Sequence, residues 1–175
     1  MDFLKYQQRG AYHWTEYDRG GIYKKHVDLL KEWVKGNDIL DIGAGDGLIT
    51  AKLGALGIDD NQLAVKLAKE KGVNVELGDA YALPDKKFDT VIMADVLEHL
   101  EFPDKAINEV KKVLKGNFYI VTPPARDDGK VQDPYHYKEY KPEELKEYIE
   151  SFGFKHIETI IKPDWVRMYA LFSNK

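Results

Sequence analysis

The sequence contains no cysteine, and only four of its 175 residues are arginine. Without cysteine, the chain cannot form disulfides, thiolate nucleophiles or cysteine-based zinc sites. No apolar run approaches the ~18 residues of a membrane-spanning helix, and the start "MDFLKYQQRG" lacks the apolar core of a secretion signal. The formal net charge is −4, whereas broad binding to nucleic acid needs clustered positive charge. We therefore expect a cytoplasmic protein with no membrane partner, and nucleic acid is not a favoured partner.

The chain does have enough apolar side chain for one core, because hydrophobic residues make up 43% of it. Apolar runs alternate with amphipathic segments that end in glycine. The predicted strands lie in "DILDIG", "ALGID", "VNVEL", "KFDTVIMA", "NFYIVT", "HIETIIK" and "WVRMYALF". This alternation predicts an α/β fold in one structural domain, with a mostly parallel sheet covered by helices on both faces. Only "PDW" separates the last two strands, so the final strand is predicted to be antiparallel.

The helices are predicted from apolar spacing and from the residues that end them. One helix is expected from about Gly21 to Val34, whereas residues 1–19 are aromatic and polar without clear periodicity. Another is expected over "PDKAINEVKKVLKG", with Leu114 on its buried face and Gly116 at its end. We expect residues 1–36 to form an aromatic segment and helix, and residues 37–175 to form the main part of the domain.

The glycine-rich run "DIGAGDG" directly follows the first predicted strand. Ligands of parallel sheets bind outside the carboxyl ends of the strands. The glycines at 43, 45 and 47 have G-x-G-x-G spacing, whereas a dinucleotide loop has G-x-G-x-x-G. Asp41 and Asp46 would repel an anion and attract a cationic group. The loop therefore favours a bulky, uncharged or positively charged ligand over a pyrophosphate.

Two further strand ends carry acids. Asp59 ends the second predicted strand, where a carboxylate can accept hydrogen bonds from both ribose hydroxyls. The alternative is a helix N-cap, a role that Asp60 or Asn61 can also take. Asp79 follows the third strand and can accept from an exocyclic amine such as that of adenine, or close a Gly-Asp turn. With Asp41, these acids match the cationic group, the ribose and the amino-purine of S-adenosylmethionine, which has no phosphate.

A resemblance extends this interpretation. The run from "ILDIGAGDG" through "GID", "GDA", "FDTVIMADVLEHL" and "KKVLKGNFYIVTPP" resembles the class I S-adenosylmethionine-dependent methyltransferases over about residues 37–161. The "V-x-E-H" segment resembles a large group of them that acts on small molecules. The resemblance implies a Rossmann-like fold with a seven-stranded sheet and S-adenosylmethionine as cofactor. It further implies methyl transfer to a small-molecule acceptor, a reaction that requires no metal, by a monomer or homodimer.

The resemblance also implies roles for residues at the strand ends. The backbone at Gly43, Ala44 and Gly45 would pack against the methionine part of the cofactor, and Asp41 would help to hold its amino group. Asp95 follows the fourth strand and would line the same side of the site.

The adenosine part is assigned to other strand ends by the same resemblance. Asp59 would hold the ribose hydroxyls, and Asp79 with Ala80 would hold the adenine edge. Aromatic N-terminal segments often form a lid in this family, so Tyr12, His13 and Trp14 are expected to stack on adenine or on an aromatic acceptor. The alternative for that segment is to cap the core.

Two histidines are candidate catalytic bases. A methyl transfer needs an aligned nucleophile, and it needs a base only where the acceptor has a high pKa. His99 is one candidate, although the segment around it can instead pack beneath the cofactor. His136, between Tyr135 and Tyr137, could bind or deprotonate a ring substrate, or these aromatic residues could fix their loop to the next helix. Competing functions are a methyltransferase for RNA or protein, and a non-catalytic protein that binds S-adenosylmethionine.

Overall fold

The computed structural model describes residues 4–174, so residues 1–3 and 175 of the predicted ranges lie outside it. Its strands form one seven-stranded sheet in the order β3-β2-β1-β4-β5-β7-β6. The strands are β1 Ile39–Ile42, β2 Leu56–Asp59, β3 Val75–Leu77, β4 Phe88–Ala94, β5 Leu114–Thr122, β6 Lys155–Lys162 and β7 Arg167–Ser173. Strands β1 to β5 pair in parallel, and β7 is antiparallel to both β5 and β6. The predicted α/β sheet with an antiparallel last strand is confirmed.

Helices precede the sheet and alternate with its strands. They are α1 Lys5–Arg9, α2 Tyr12–Arg19, α3 Gly21–Trp33, α4 Leu48–Leu53, α5 Gln62–Glu70, α6 Pro103–Val113 and α7 Pro142–Ser151. Short 3₁₀ turns lie at Leu97–His99 and Pro163–Trp165. The N-cap of α5 is Asn61, whose side chain accepts from the amides of Leu63 and Ala64. None of the helices within residues 4–174 is both long enough and apolar enough to span a membrane.

Both faces of the sheet are buried. Because successive side chains of a strand point to opposite faces, Ile92 packs with Leu30 of α3, whereas Val91 packs on the side of α6 and α7. Ile107 of α6 and Ile149 of α7 are fully buried in that second cluster. Burial on both faces explains the continuous apolar runs "VIMA" in β4 and "FYIV" in β5.

Two local predictions were wrong, and one segment carried no prediction. Residues 1–19 contain the helices α1 and α2, although their spacing gave no periodic signal. Helix α6 ends at Val113 and β5 begins at Leu114, which pairs with Phe88 of β4. Gly116 lies inside β5, where a Cβ would be 2.7 Å from the carbonyl oxygen of Asp89, so close strand approach rather than a helix end requires glycine there. The last strand begins at Arg167, after a turn.

Candidate functional site

A cavity of about 1320 Å³ opens at the carboxyl ends of the parallel strands. The loops after β1, β2, β3, β4 and β5 all contribute residues to its lining, and so do the N-terminal helices α1, α2 and α3. Among the sequence-predicted residues, those that line it are Gly43, Ala44, Gly45, Asp59, Asp79, Ala80, Asp95, His99, Tyr135, His136, Tyr137, Tyr12 and His13. Asp41 and Trp14 are not among its lining residues.

The glycine loop is held against β2 and packed on both sides. The amides of Gly43 and Ala44 both donate to the carbonyl of Ile58, at 2.8 and 2.9 Å. Gly43 and Gly45 have φ of 72° and 58°, in the left-handed region that favours glycine. A Cβ would overlap Val96 at Gly43 and the hydroxyl of Tyr6 at Gly45. Glycine is therefore required at both positions by the backbone and by neighbouring side chains.

Asp41 lies beneath this loop. Its side chain is buried, and its Oδ2 accepts from Oγ1 of Thr50 in α4 at 2.6 Å. Burial raises the pKa of Asp41 to about 7. The expected contact between Asp41 and the amino group of a ligand is therefore corrected: the side chain points from β1 towards α4, where it supports the loop instead of lining the cavity.

Asp46 is a lining residue whose role the sequence argument missed. It is fully buried, and its Oδ2 accepts from the backbone amide of His13 at 3.0 Å. Its carbonyl accepts from the indole Nε1 of Trp14 at 2.9 Å. This bond directs Trp14 away from the cavity, so the expectation that Trp14 stacks on a ligand is corrected. Nδ1 of His13 lies 3.2 Å from Oδ1 of Asp46, but that oxygen has no well-directed hydrogen bond within residues 4–174.

Asp59 and Asp79 both lie at the cavity, and both are also bound to backbone. Asp59 accepts from the amides of Gly45 and Asn61, at 2.7 and 2.8 Å, one on each oxygen. Burial raises the pKa of Asp59, and these two bonds oppose the shift. Asp79 is exposed, and its Oδ1 accepts from the amide of Tyr81 at 2.8 Å, which is the turn alternative. Since each carboxylate oxygen can accept twice, both residues retain acceptor capacity for a ligand.

Asp95 forms an ion pair with Arg167, a residue that the sequence argument did not select. Nη2 of Arg167 lies 2.7 Å from Oδ2 of Asp95, and Nη1 donates to the carbonyl of Trp165 at 3.2 Å. Burial alone would raise the pKa of Asp95, but the guanidinium of Arg167 holds it below its usual value. The pair is therefore ionised, and it lies in the cavity wall.

His99 and His136 are far apart in the sequence, but their rings meet in the cavity wall. Their ring centroids are 4.8 Å apart. Nδ1 of His99 lies 3.1 Å from the carbonyl oxygen of Tyr135, and Nδ1 of His136 lies 2.5 Å from Oε1 of Glu139. Because carbonyl and carboxylate oxygens accept, each Nδ1 is the donor in its contact, and Nε2 of each ring takes no part in it. Burial lowers the pKa of His99.

Glu98 completes this group. It is buried, its Oε2 accepts from Oγ1 of Thr122 at 3.0 Å, and burial raises its pKa to about 8. Its backbone carbonyl accepts from the amide of Tyr137 at 2.8 Å, which fastens the loop of His136 over the 3₁₀ turn. One atom each of Glu98, His99 and His136 lies within 4.8 Å of the others, a donor set that could hold a divalent cation. The metal-free reaction expected from the sequence stays a prediction.

Comparison with known proteins agrees with this geometry. Residues 40–122 match a family model described as a methyltransferase domain. An uncharacterized protein of Methanocaldococcus jannaschii is 32% identical over 158 residues, which cover 81% of this chain and 77% of that protein. The magnesium protoporphyrin IX methyltransferase of Synechocystis, in a crystal structure with bound S-adenosylhomocysteine, has the same fold, with a TM-score of 0.77, 18% identity, and coverage of 98% and 97% of the two chains.

This chain is a class I S-adenosylmethionine-dependent methyltransferase. Its cofactor is S-adenosylmethionine. The ribosomal protein L11 methyltransferase of Thermosipho africanus is 32% identical over 111 residues, or 56% of this chain, and this chain spans only 42% of that protein's length.

The chemistry of the methyltransferase's cavity fits that cofactor. Acidic side chains outnumber the permanent cations among the described lining residues, where the permanent cations are Lys5 and Arg167. A ligand with a net positive charge and no phosphate suits such a lining. Asp59 offers carboxylate oxygens to hydroxyl donors, since each of its oxygens accepts from only one backbone amide.

The N-terminal helices of the methyltransferase close one side of the cavity with stacked rings. The ring centroids of Tyr12 and His13 are 4.0 Å apart, and those of Tyr6 and Tyr12 are 5.4 Å apart. His13 stacks on Tyr23 of α3 at 5.6 Å. Tyr12 and His13 thus line the cavity and also pack on the rest of the domain. Their stacking on adenine or on an acceptor stays a prediction.

Proposed function

We propose that this methyltransferase methylates a small-molecule acceptor bound between the 3₁₀ turn Leu97–His99 and the loop of residues 132–137. The observation that carries the proposal is the approach of His99 and His136, with centroids 4.8 Å apart, inside the same cavity as Asp59 and Asp79. S-adenosylmethionine, when bound, supplies an electrophilic methyl group on a sulfonium. The protein's own part is to orient the acceptor, to exclude water and to handle a proton.

The cofactor's position is proposed from the strand ends. Asp59 would accept from the ribose hydroxyls with the acceptor sites that its two backbone bonds leave unused. Asp79 and Ala80 would contact the adenine edge, and residues 43–45 would contact the methionine part. Asp41 is left out of this set because it faces Thr50.

A histidine base is proposed for acceptors of high pKa. Both His99 and His136 are oriented through Nδ1, so Nε2 of either ring could take the acceptor's proton during methyl transfer. The lowered pKa of His99, which burial causes, favours the neutral form that a base needs. Glu139 is buried, and its Oε1 accepts a hydrogen bond from the backbone amide of Gln132 at 2.7 Å. This bond holds in place the carboxylate that orients His136.

The acceptor is proposed to have a flat or aromatic part. Tyr135 and Tyr137 line the cavity beside His136, and Tyr12 and His13 line it from the N-terminal helices. Aromatic side chains favour offset or edge contacts with a ring. We also propose that the enzyme acts in the cytoplasm and without a nucleic acid partner, as its composition suggests, and that it is a monomer or homodimer.

Two measurements test these proposals. Isothermal titration calorimetry should detect binding of S-adenosylmethionine and S-adenosylhomocysteine and none of NAD. A screen of phenols, amines and heterocycles with a labelled methyl donor should then find an acceptor whose turnover falls in His99→Ala or His136→Ala. Binding of the cofactor together with full turnover in both variants would refute the histidine base.

A protein or RNA acceptor is the second candidate. It is favoured by the similarity to the ribosomal protein L11 methyltransferase, although this chain spans less than half of that protein. The same labelled donor offered to ribosomal protein and to total RNA distinguishes the candidates. Label in macromolecules and none in any small molecule would replace our proposal with this one.

A further inference from the structure

The ion pair of Asp95 and Arg167 joins two elements at the ligand end of the sheet. Asp95 directly follows β4, and Arg167 begins β7. Met168 pairs with Thr122, the last residue of β5, so Arg167 lies at the end of the sheet where β4 and β5 reach the cavity. Arg167 shares its sheet face with Tyr169, which packs in the cluster beneath α3. The guanidinium therefore lies on the α3 side of the cavity.

The backbone is strained on both sides of this pair. Asp95 and Val166, the neighbour of Arg167, are the two non-glycine residues within 4–174 that have positive φ, at 55° and 53°. Strained backbone of this kind persists where the surrounding structure enforces it, and it clusters at ligand sites. The two strained residues thus single out one ion pair in the cavity wall.

The guanidinium of Arg167 has a donor to spare. Nη2 is bound to Asp95 and Nη1 to the carbonyl of Trp165, whereas Nε is buried and lacks a hydrogen-bond partner in the described part of the chain. An unpaired buried donor is unfavourable, and arginine donors suit a carboxylate in a planar, bidentate arrangement. The side chain of Arg167 is 23% exposed and lines the cavity, and each Nη carries two hydrogens, so a small anion in the cavity could bind the guanidinium beside Asp95.

The ion pair continues the wall that starts at the glycine loop. Tyr23 of α3 lines the same cavity and stacks on His13. Burial, and then the charges of Asp95 and Asp46, raise the pKa of its phenol. Asp46 belongs to the glycine loop, and the amide of His13 binds it. The methionine part of the cofactor is proposed to contact this loop, and Asp95 and Arg167 line the same cavity as the loop.

We propose that Arg167 binds the α-carboxylate of the cofactor and that Asp95 binds its α-ammonium group. The amino-acid end of the cofactor is a zwitterion, and an ion pair offers it one partner of each sign. Lys5 is the other permanent cation in the described lining, and it belongs to α1. The inference depends on cofactor binding and is independent of which acceptor is methylated.

The test compares three ligands by calorimetry. S-adenosylhomocysteine has both charged groups, S-adenosyl-3-thiopropylamine lacks only the carboxylate, and 5′-methylthioadenosine lacks both. Arg167→Met should weaken binding of S-adenosylhomocysteine by about 10- to 100-fold, as expected for loss of a hydrogen bond to a charged group, and should leave the affinity for 5′-methylthioadenosine within about threefold. Binding of S-adenosyl-3-thiopropylamine should weaken less than that of S-adenosylhomocysteine, because this ligand has no carboxylate for Arg167 to bind. Arg167→Lys should lose less than Arg167→Met, and Arg126→Met, which removes an exposed arginine outside the cavity lining, should change none of the three.

Two outcomes would overturn the proposal. Equal weakening of all three ligands in Arg167→Met would show a purely structural role, and unchanged affinity for S-adenosylhomocysteine would assign Arg167 to another group. Circular dichroism checks that the variant folds. If it does not fold, the wild type decides: it should bind S-adenosylhomocysteine at least about tenfold more tightly than the decarboxylated ligand, and equal affinities would refute the assignment.

Discussion

The backbone amide of His13 donates to Oδ2 of Asp46 across 3.0 Å, which joins α2 to the glycine loop. The indole Nε1 of Trp14, also in α2, adds a second hydrogen bond to this loop by donating to the carbonyl of Asp46 at 2.9 Å. The loop that is proposed to hold the methionine part therefore depends on the N-terminal helices for its position. Cofactor binding and the order of α2 should change together.

Replacing Trp14 tests this dependence. Trp14→Phe keeps an aromatic ring but leaves the carbonyl of Asp46 without its indole donor. We expect a loss of about 1 kcal/mol in the free energy of unfolding, the usual contribution of one hydrogen bond. We also expect faster hydrogen exchange in α2 and weaker binding of S-adenosylhomocysteine.

Trp33 supplies a matched control. Its Nε1 is buried and has no hydrogen-bond partner among residues 4–174, so Trp33→Phe leaves no acceptor unpaired. Trp33 packs on Tyr119 at 4.8 Å, so some stability is lost through packing. Exchange in α2 should nevertheless stay at the wild-type rate. Equal acceleration in both variants would show that the indole bond of Trp14 does not hold the helix.

Gly45 gives a second prediction, on packing between the glycine loop and α1. Gly45→Ala combines left-handed backbone strain, at φ 58°, with a Cβ that overlaps the hydroxyl of Tyr6. We expect a loss of about 2–4 kcal/mol in unfolding free energy. Gly54→Ala has similar strain, at φ 65°, but no atom within 4 Å, so it should lose only about 1 kcal/mol.

A double-mutant cycle isolates the steric part at Gly45. Tyr6→Phe removes the hydroxyl and leaves Cζ 3.4 Å from the new Cβ, which is close to ordinary contact. The pair Gly45→Ala and Tyr6→Phe should therefore recover about 1 kcal/mol or more relative to the sum of the single changes. Strict additivity in denaturant titrations would mean that the loop moves away from Tyr6 without resistance.

The sheet could be predicted from the sequence because each strand is a local signal. Apolar runs such as "VIMA" in β4 indicate buried strands, and the glycine-rich loop and Asp59 mark the strand ends where a parallel sheet binds ligands. The junction between α6 and β5 was missed because Leu114 is apolar in either structure. Its assignment depends on pairing with Phe88, a contact that is distant in sequence.

The parts of the site that were missed depend on long-range contacts. Arg167 has no motif around it, and only the antiparallel pairing of β7 with β5 brings it beside Asp95. The role of Asp46 depends on α2, which packs against the loop through polar bonds and so leaves no apolar periodicity to detect. Asp41 was assigned to the ligand because the side of the strand that it faces cannot be inferred where both faces are buried.

Asp59 provides a third prediction, with its neighbour as the control. Asp59→Ala should weaken binding of S-adenosylhomocysteine by roughly 1–3 kcal/mol, because the amide of Gly45 loses its acceptor and the proposed ribose contact is removed. Asp60→Asn removes a charge from the same lining, but Asp60 is exposed, so its effect should stay below about 0.5 kcal/mol. Calorimetry that shows equal losses would assign the effect to charge alone.

The final prediction concerns the pH dependence of stability. His26 of α3 is fully buried, its Nδ1 lies 2.8 Å from the hydroxyl of Tyr169, and its Nε2 has no hydrogen-bond partner within the described residues. Burial lowers the pKa of His26 to about 4, whereas the unfolded chain should show the ordinary value of about 6.5. Below pH 6.5 the unfolded state therefore binds a proton that the folded state does not bind. The contribution of His26 to stability should be complete above pH 6.5 and lost as the pH falls towards 4.

A pH series of denaturant titrations checks this sign. One pKa unit corresponds to about 1.4 kcal/mol, so the wild type should lose up to about 3 kcal/mol through His26 between pH 6.5 and pH 4. His26→Phe removes the titrating group and also the partner of Tyr169, a loss that does not vary with pH in this range. The curves for the two proteins should therefore converge as the pH falls, because the other titrating groups are common to both. Parallel curves from pH 7 to pH 4 would show that His26 is protonated equally in the folded and unfolded states.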